Sequence, residues 1–337
     1  MNKWLDNDGF EKDIVISSRV RLARNIEGVK LPQQMDEQDG VNVVDMVKDA
    51  VLKDDNYKTY NIKDLTDIEK KLFVENHLIS PDLLKKPNIS SFLLREDERV
   101  TIMINEEDHI RIQALFSGLN LDESFKICND VDDIIENTLD YSFDEKFGYI
   151  TSCPTNTGTG LRASVMVHLP CLVLTGNING ILQAVTQLGI AVRGLYGEGS
   201  GSLGNIFQIS NQITLGETES EIISKLKGIV TQIIARERQS RKMLLNTKKI
   251  GTEDKIYRSL GILQNARILS SKEAMNLLSD VRMGAAMGIL EEINVNTLDN
   301  LIIDIQPANV NKDYEEELDI NKRDIKRAEI LRDKLKK

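Results

Sequence analysis

The apolar residues of this chain change their spacing near residues 244–252. Before that point, short runs alternate apolar and polar residues, as at Val100, Ile102 and Ile104, and such alternation is typical of strands with one buried face. Beyond it, the apolar residues recur at helical spacing. We therefore predict two domains, a strand-containing one over residues 1–244 and an all-helical one over residues 245–337.

Local signals predict the individual elements. Thr218 with Glu221, and Ser270 with Glu273, are capping-box pairs that mark helix starts. The helix after Thr218 is expected to run to about Lys242. The other predicted elements are a helical region over 41–78, a strand pair at Ile89–Leu94 and Arg99–Ile104, a helix at Val131–Tyr141, a strand at Arg162–Leu174 with a break considered at Pro170, and a strand at Asn205–Ser210.

The composition excludes several classes of protein. A formal net charge of −10 argues against a general nucleic-acid-binding protein, because such proteins need a basic face to displace counterions from phosphates. The N-terminus lacks the apolar core of a secretory signal, and the longest apolar runs are too short to span a membrane. We expect a cytoplasmic protein that binds neither nucleic acid nor membrane.

Cysteine and histidine are too sparse to build a metal site. The three cysteines show no C-x-x-C pair, and the three histidines have no metal-ligand spacing. A disulfide framework and a protein-held metal are therefore not predicted, and a reducing compartment is favoured. These residues are Cys128, Cys153, Cys171, His77, His109 and His168.

Five arginines form a candidate anion site. Arg19 and Arg21 alternate on an extended segment and so point the same way, and each of the others lies beside a turn or a glycine, where the backbone allows a ligand to approach. Those others are Arg111, Arg162 and Arg193. Alone, each is typical of a surface residue. Converging, their planar forks could hold a triphosphate, although the chain lacks the G-x-x-x-x-G-K-[ST] loop.

One glycine motif is rejected as a nucleotide site. Gly199–Gly204 matches G-x-G-x-x-G, but the dinucleotide-binding motif follows a strand and opens a helix. Here the motif runs into the predicted strand Ile206–Ser210, so a loop is expected instead.

Two polar segments are candidate catalytic loops. Asn105–His109 follows a buried strand and lacks the glycine or proline of a plain hairpin end, which favours a functional loop. Glu198 lies on a glycine-flanked loop, where a solvated acid is an equally good interpretation. Cys153 precedes a glycine-rich stretch. A lone cysteine is more often a small buried apolar residue, but a nearby serine and arginine could favour its thiolate.

Four segments in order resemble the phosphagen (guanidino) kinases, and most closely the bacterial protein-arginine kinases of the McsB type. They are Ser17–Arg21, Asn105–Arg111, Cys153–Arg162 and Arg193–Glu198. The resemblance covers about residues 13–245. It implies an α/β fold with a largely antiparallel sheet flanked by helices, followed by the small helical domain.

The resemblance also implies roles for individual residues. Glu107 would deprotonate and orient the guanidinium, Glu198 would be the second carboxylate on it, and Cys153 would lie beside it as thiolate. His77 would lie against the nucleotide. The rest of the implied ATP site comprises Ser17, Ser18, Arg19, Val20, Arg21, Arg111, Arg162, Ala163, Ser164, Val165, Met166, Arg193, Gly194, Leu195, Tyr196 and Gly197.

The chemistry of a guanidinium is compatible with those roles. Its pKa of roughly 12.5–13.8 keeps it protonated, so a carboxylate must remove a proton as the phosphoryl group arrives. Two carboxylates can aim one nitrogen in line, and arginines with Mg²⁺ stabilise the charge on the equatorial oxygens. ATP and water would hold most of the Mg²⁺ coordination, which agrees with the absence of a predicted metal cage.

Three departures distinguish this chain from kinases of small guanidino compounds. The first arginine segment begins at Ser17, so the helical domain that precedes it in those enzymes is missing, and we expect an open site that admits an arginine on a protein. Met166 stands where they usually have histidine, and His168, on the same strand face, could replace it. The helical domain after residue 245 is foreign to them.

That helical domain contains the sequence Arg323-Asp-Ile-Lys-Arg-Ala328, similar to a phosphoarginine-binding motif of the protein-arginine kinases. The resemblance assigns Arg323, Asp324, Arg327 and Ala328 to that pocket. Arg323 and Arg327 are four residues apart and so share a helix face, where they could bind a phosphoguanidinium. An ordinary salt-bridged helix is the alternative.

The resemblance further implies protein substrates carrying arginine, a zinc-containing activator protein, a Clp ATPase and protease that degrade the marked proteins, and a homodimer or higher oligomer. Two alternative functions stay open at this point. One is a kinase of free arginine or another small phosphagen, against which the missing domain and the helical tail argue. The other is a non-catalytic adaptor that binds phosphoarginine, against which Glu107, Glu198 and the five arginines argue.

Overall fold

The computed structural model describes residues 3–5, 9–51, 56–194, 203–314 and 317–336. Eight strands in these ranges form one antiparallel sheet in the order β2-β3-β4-β5-β1-β8-β10-β9, and β6 with β7 forms a separate two-stranded ribbon. The strands are β1 (Val15–Arg24), β2 (Tyr57–Asn61), β3 (Ser91–Arg95), β4 (Val100–Ile104), β5 (Ile110–Ser117), β6 (Phe143–Asp144), β7 (Gly148–Tyr149), β8 (Leu161–His168), β9 (Ile190–Gly194) and β10 (Ile206–Asn211).

Eleven α-helices surround this sheet or follow it in the described ranges. They are α1 (Glu37–Val51), α2 (Asp67–Glu75), α3 (Leu121–Glu136), α4 (Pro170–Leu174), α5 (Ile178–Thr186), α6 (Glu219–Thr247), α7 (Lys249–Asn265), α8 (Ser271–Ala286), α9 (Val295–Asp304), α10 (Pro307–Asn311) and α11 (Ile320–Leu335). None of them is long and apolar enough to cross a membrane. The predicted fold class, an antiparallel sheet with flanking helices and a helical C-terminal part, is confirmed.

The two faces of the sheet bury different partners. One face packs its alternate apolar residues, such as Val20, Ala163 and Val165, against α1, α3 and α6 in the largest core. The other face carries two smaller cores. Trp4, Phe92 and their neighbours cover its β2–β5 side. The C-terminal helices cover its β8–β10 side, where Ile206 packs among apolar residues of α7, α8, α9 and α11. Between these two cores, residues of the second face line a cleft in the described part of the chain.

Buried polar contacts fix the C-terminal helices against the sheet. Arg282 of α8 donates to both carboxylate oxygens of Asp299 at 2.6 and 3.3 Å, and to the backbone oxygens of Lys12 and Asp13. His168 of β8 lies 2.8 Å from Ser279 Oγ. Because the Arg282 side chain is fully buried and its charge is paired, this junction forms one firm interface between sheet and helices.

The capping box predicted at Thr218 is confirmed, whereas of the box predicted at Ser270 only the bond from the Glu273 amide to the Ser270 hydroxyl is present among the described residues. Thr218 Oγ1 accepts from the Glu221 amide, and the Glu221 carboxylate accepts from the Thr218 amide. The helix that follows ends at Thr247, one turn beyond the expected end. Ser270 Oγ likewise accepts from the Glu273 amide at the start of α8.

Three element predictions need correction. The region 41–78 is not continuously helical, because β2 lies between α1 and α2 and pairs with β3, where Tyr60 stacks on Phe92. The predicted strand Arg162–Leu174 stops at His168, and Pro170 opens α4. A proline fits the first turn of a helix, where its missing N–H is not needed. The helix predicted at Val131–Tyr141 is α3, which begins and ends earlier.

Candidate active site

Five arginines project from four strands toward one open area of the second sheet face. Arg21 of β1 pairs across the sheet with Arg162 of β8 on one side and with Gln113 of β5 on the other. Arg193 of β9 pairs with Gln208 of β10, which pairs in turn with Met166. Directly paired residues share a face, so this register alone places most of the cations on the same side.

These side chains line a cleft of about 930 Å³. All five predicted arginines contribute to it, namely Arg19, Arg21, Arg111, Arg162 and Arg193. Arg19 donates to Gln208 Oε1 at 3.1 Å, and Arg162 approaches Ser210 Oγ at 3.4 Å. The buried Nε of Arg21 has no hydrogen-bond partner within the described part of the chain. Arg21 thus supplies a buried donor that no acceptor of the described residues satisfies.

Burial and the neighbouring positive charges lower the pKa values of two cleft arginines, Arg19 and Arg21. Burial, together with the positive charges of Arg111 and Arg162, lowers the pKa of Arg19 to about 10. Burial also lowers the pKa of Arg21 well below its usual value, with further contributions from Arg19, Arg111 and Arg162. Both guanidinium groups remain charged at neutral pH, because arginine is not deprotonated in proteins. The cleft therefore concentrates positive charge in an acidic protein.

His77 borders the same cleft on the side of the Trp4 core. Its backbone has a positive φ of 60°. Gln113 Nε2 donates to its carbonyl oxygen at 2.9 Å, which holds that turn against β5. Burial, and to a smaller extent the charge of Arg19, lowers the pKa of His77 to about 4, so the ring is neutral at physiological pH. Trp4 meets it edge-on with ring centroids 6.4 Å apart.

The rest of the predicted ATP set divides between the two sheet faces. Ser17, Ser164 and Met166 lie beside Arg19 in a small depression on the cleft face. The side chains of Val20, Ala163 and Val165 are buried in the core on the opposite face, as strand alternation requires, so they do not reach the cleft. Ser18 Oγ donates to the carbonyl oxygen of Gly118 at 2.8 Å. Gly194 lines the cleft at the end of β9.

The loop Asn105–His109 joins β4 to β5 and is held by its own side chains. Asn105 has a positive φ of 58°, and its amide donates to the carbonyl oxygens of Gly40 and Ile89. Asp108 accepts from Asn25 Nδ2 at 2.7 Å and from the Ser152 amide at 2.6 Å. His109 Nδ1 accepts from the Ile26 amide. The loop is therefore built rigidly, which suits a site that must orient a reacting group.

The two adjacent glutamates of this loop have different environments. Glu106 is buried and forms an ion pair with Arg111. The Glu107 carboxylate has neither a hydrogen bond nor an ion pair among the described residues, although its carbonyl oxygen is fixed by Gln33 and Ser152. Burial raises the pKa of Glu107, the charge of Asp108 adds to the rise, and Arg111 opposes it. Glu107 is thus a positioned carboxylate whose oxygens are available to a ligand.

Cys153 lies next to this loop. Ser152 donates from its amide to Asp108 and from its hydroxyl to the Glu107 carbonyl oxygen, which ties the two segments together. The Cys153 sulfur is half-buried and lies 3.0 Å from Thr155 Oγ1. Cys128 and Cys171 are buried in the cores, where burial raises the pKa of each thiol, so Cys153 is the most accessible of the three.

Part of the predicted site lies outside the described residues. This applies to Leu195, Tyr196, Gly197 and Glu198, and to Gly199–Ser202 of the rejected glycine motif. The described end of that motif, Leu203–Asn205, is a short helical turn that leads into the strand β10. The prediction that the motif enters a strand is confirmed.

On the sheet side of the cleft, sequence reasoning missed two polar residues, Gln113 and Gln208. Each lies between apolar neighbours on its strand, as Gln208 does between Phe207 and Ile209. A polar residue in that position indicates a sheet face that is not covered by apolar core, and this signal could have identified both.

Comparison with known proteins agrees with this geometry. Residues 41–240 match the family model of the ATP:guanido phosphotransferase C-terminal catalytic domain, and residues 249–337 match that of the protein-arginine kinase McsB C-terminal domain. The chain belongs to the protein-arginine kinase family.

Individual relatives support the assignment along the whole chain. The protein-arginine kinase of Caldanaerobacter subterraneus subsp. tengcongensis is 47% identical over 333 residues, which are 97% of this chain and 98% of that protein. The protein-arginine kinase of Clostridium acetobutylicum is 46% identical over 340 residues and 100% of both chains.

Solved structures show the same fold. A lombricine kinase has a TM-score of 0.59 at 24% identity and covers 71% of this chain and 70% of its own. The duplicated taurocyamine kinase of Schistosoma mansoni, with bound transition-state-analogue components, has a TM-score of 0.60 at 25% identity and covers 69% of this chain and 35% of its own. As an ATP:guanido phosphotransferase family member, this chain uses ATP.

Met166 and His168 lie on the same strand but have different environments. Met166 lines the cleft, whereas His168 is buried against the C-terminal helices. Arg282 Nη1 donates to His168 Nδ1 at 3.2 Å, so the Nε2 proton points toward Ser279 Oγ. Burial and the charge of Arg282 lower the pKa of His168 well below its usual value. His168 is therefore a neutral interface residue and does not take the place of a histidine in the cleft.

The segment Arg323–Ala328, which is similar to the phosphoarginine-binding motif, lies on α11. Arg327 is buried and donates to the carbonyl oxygens of Ile305 and Leu269 at 2.8 and 2.9 Å, and it forms an ion pair with Asp324. Ala328 is buried in the helical core. Arg323 is partly exposed and lies 3.3 Å from Glu317. The two arginines thus differ, since only Arg323 has a guanidinium that a ligand can reach in this conformation.

Proposed function

We propose that this chain transfers the γ-phosphate of ATP to the guanidinium group of arginine side chains in proteins. The observation that carries the proposal is the convergence of five arginines on one cleft, next to a rigid loop whose Glu107 carboxylate is unoccupied. Convergent guanidinium groups suit a polyphosphate, and a free, positioned carboxylate suits a cationic guanidinium. The family membership of the chain agrees with both halves of this reaction.

In this proposal the cleft arginines hold the phosphates of ATP. Arg19, Arg21, Arg111, Arg162 and Arg193 donate to the phosphate oxygens and stabilise the charge that spreads over the transferred group. The neutral His77 lies at the nucleoside end, where it adds no charge. Ser17, Ser164, Met166 and Gly194 complete the surface beside them. We propose that Mg²⁺ arrives with ATP, because the described residues contain no group of three His, Cys, Asp or Glu side chains that could hold a metal ion.

Glu107 is proposed as the catalytic base. As the phosphoryl group moves from ATP to a guanidinium nitrogen, the N–H proton of that nitrogen passes to the Glu107 carboxylate, ADP leaves, and a P–N bond replaces the P–O bond. A raised pKa makes this carboxylate a better proton acceptor. We further propose Glu198 as the second carboxylate on the guanidinium and Cys153, with its accessible sulfur, as a neighbour of the substrate.

Several further parts of the proposal extend beyond the active site. We propose a catalytic domain over residues 1–244 and a helical domain over 245–337, in line with the matched ranges and with the break between Thr247 and Lys249. We also propose a cytoplasmic location, a zinc-containing activator, a homodimer or higher oligomer, and delivery of marked proteins to a Clp ATPase and protease. These follow from the family resemblance.

The motif on α11 is proposed to bind phosphoarginine. The partly exposed Arg323 and Asp324 would contact the ligand, and Arg327 and Ala328 would hold the helix in place. In this conformation, Arg327 could bind a phosphate only by giving up its bonds to the carbonyl oxygens of Ile305 and Leu269. Substitution of Arg323 by alanine is therefore expected to weaken phosphoarginine binding with little loss of stability.

The test of the proposed function is mass spectrometry after incubation with Mg-ATP, under neutral conditions that preserve the acid-labile P–N bond. A mixed protein substrate and free arginine are offered in parallel. We expect phosphate on arginine side chains of the protein. Efficient phosphorylation of free arginine alone would instead indicate a small-molecule phosphagen kinase. If neither product forms, the proposal is contradicted for the isolated chain.

A further inference from the structure

The C-terminal helices form one wall of the arginine cleft. Ser271 and Lys272, in the first turn of α8, line it, as do Ile302 of α9 and Gln306 just beyond that helix. The cleft therefore lies between the sheet and the helical part of the chain. A ligand held by the sheet arginines would face the helices on its other side.

Lys272 is the one cation on this helical wall, as far as the described residues show. Its side chain is exposed, and its ammonium group forms neither a hydrogen bond nor an ion pair with the described part of the chain. A lysine ammonium offers three donors on a flexible stem, which suits phosphate oxygens.

The acidic residues that line the cleft already have partners. Asp299 binds Arg282, with the closest contact at 2.6 Å. The Glu75 carboxylate accepts from the backbone amides at the start of α10, at 2.8–2.9 Å. Asp82 pairs with Lys85 at 2.6 Å. None of these carboxylates is left to neutralise Lys272, so the charge on the helical wall adds to that of the sheet arginines.

Contacts on both sides of Lys272 in the sequence hold α8 in position. Leu269, just before the cap of α8, donates from its amide to the Asp324 carbonyl oxygen at 3.1 Å and accepts from Arg327. Farther along α8, Ser279 Oγ accepts from Asn205 Nδ2 at 2.9 Å, at the start of β10. The strand β10 in turn carries Gln208, which binds Arg19. The helix α8 is thus held against β10 and places Lys272 on the wall of the same cleft that the arginines line.

We propose that Lys272 is a nucleotide-binding residue, which supplies a sixth cation to the phosphate chain of ATP from the helical side of the cleft. The inference rests on the proposed assignment of this cleft to ATP. It implies that the sheet alone forms an incomplete nucleotide site and that the C-terminal helices complete it.

The test compares ATP binding by the full-length wild type, K272A, K272R and K126A, measured by isothermal titration calorimetry. Lys126 is the matched control, because it is an exposed lysine on α3, which packs on the opposite face of the sheet. We expect K272A to raise the ATP dissociation constant about tenfold, the order of one charge-assisted hydrogen bond. K272R should restore most of the affinity, and K126A should bind as the wild type does.

Trp4 offers a second readout. It is the only tryptophan of the chain and lines the cleft, so its fluorescence should respond to nucleotide. An ATP affinity in K272A equal to that of K126A would overturn the inference, even if the wild type phosphorylates protein arginines. A wild type that binds ATP in a Lys272-dependent way but phosphorylates no arginine would overturn the proposed function and leave the inference standing.

Discussion

Two of the three arginines of the strand β1, Arg21 and Arg24, lie three residues apart and have opposite surroundings. Arg24 is saturated: it forms a buried ion pair with Asp132 at 2.6 Å, donates to the carbonyl oxygens of Ala23 and Thr159, and lies 3.6 Å from the ring centroid of Tyr149. Arg21 has a buried Nε without a partner in the described residues and is surrounded by other cations.

The difference distinguishes a cation that holds the fold, Arg24, from one that our proposal assigns to a ligand, Arg21. A buried charge with a full set of partners stabilises its surroundings only as long as all partners remain. A cluster of like charges without acceptors lowers stability, and an anionic ligand that supplies the acceptors recovers that loss on binding. The same contrast recurs between Glu106, paired with Arg111, and Glu107, whose carboxylate is free.

The largest expected effect concerns the free carboxylate. Glu107→Gln keeps the shape of the side chain but removes the proton acceptor, so we expect protein-arginine phosphorylation to fall by about 10²–10⁴-fold. Rates are measured by phosphoarginine mass spectrometry, and ATP binding is measured in parallel. Retained ATP affinity would locate the defect in phosphoryl transfer, whereas a variant as active as the wild type would remove Glu107 as the base.

The next largest effect is expected from removal of Arg24, the arginine whose hydrogen bonds are all satisfied. Arg24→Ala leaves the Asp132 carboxylate buried without its cation, and we expect a loss of about 3–5 kcal/mol in the free energy of unfolding. Burial raises the pKa of Asp132 and Arg24 opposes that rise, so loss of Arg24 should raise the pKa of Asp132 further. Chemical denaturation measures the loss. A change below about 1 kcal/mol, the range of an exposed ion pair, would contradict the structural role.

The smallest effect is a pH dependence of stability. Burial and Asp108 raise the folded-state pKa of Glu107 above its unfolded value, so ionisation of this group favours unfolding. Its contribution is fully present at low pH and is lost as pH rises through the folded pKa. Glu107→Gln, which cannot ionise, should therefore gain stability relative to the wild type on going from acidic to neutral pH, while wild-type activity rises over the same interval.

Thermal unfolding of both proteins at a series of pH values tests this prediction. Glu106→Gln is the informative control, because that residue is adjacent but paired with Arg111, so its loss should lower stability at neutral pH. A melting-temperature difference between wild type and Glu107→Gln that does not change with pH would argue against burial of an ionised Glu107.

The sequence predicted the fold where one signal dominated. Capping boxes located α6 and α8 because Ser and Thr caps act through local bonds. It failed over residues 41–78, because the edge strand β2 is decided by pairing with β3, a contact that no local pattern records. A proline such as Pro170 can end a strand or open a helix, so the local sequence leaves both outcomes possible. Here the Glu237 carboxylate accepts from the first amides of α4, and this contact could not be predicted because Glu237 is distant in sequence.

The five arginines that line the cleft were predicted from the sequence, but their individual contacts were not. Strand alternation sufficed to group Arg19 and Arg21, yet which of two adjacent glutamates stays free depends on Arg111, on the far side of the turn. The burial of Arg327 was equally hidden, since its acceptors are carbonyl oxygens from two other segments. Lys272 was not singled out, because only the packing of α8 against the sheet brings it to the cleft.

The central claim is that Arg21 and the arginines clustered around it serve ATP and not the fold. The direct measurement is the ATP dissociation constant of Arg21→Ala by calorimetry, together with its free energy of unfolding without nucleotide. We predict an affinity at least about tenfold weaker and a stability equal to or above that of the wild type. Unchanged ATP affinity, or a stability loss as large as that of Arg24→Ala, would contradict the claim.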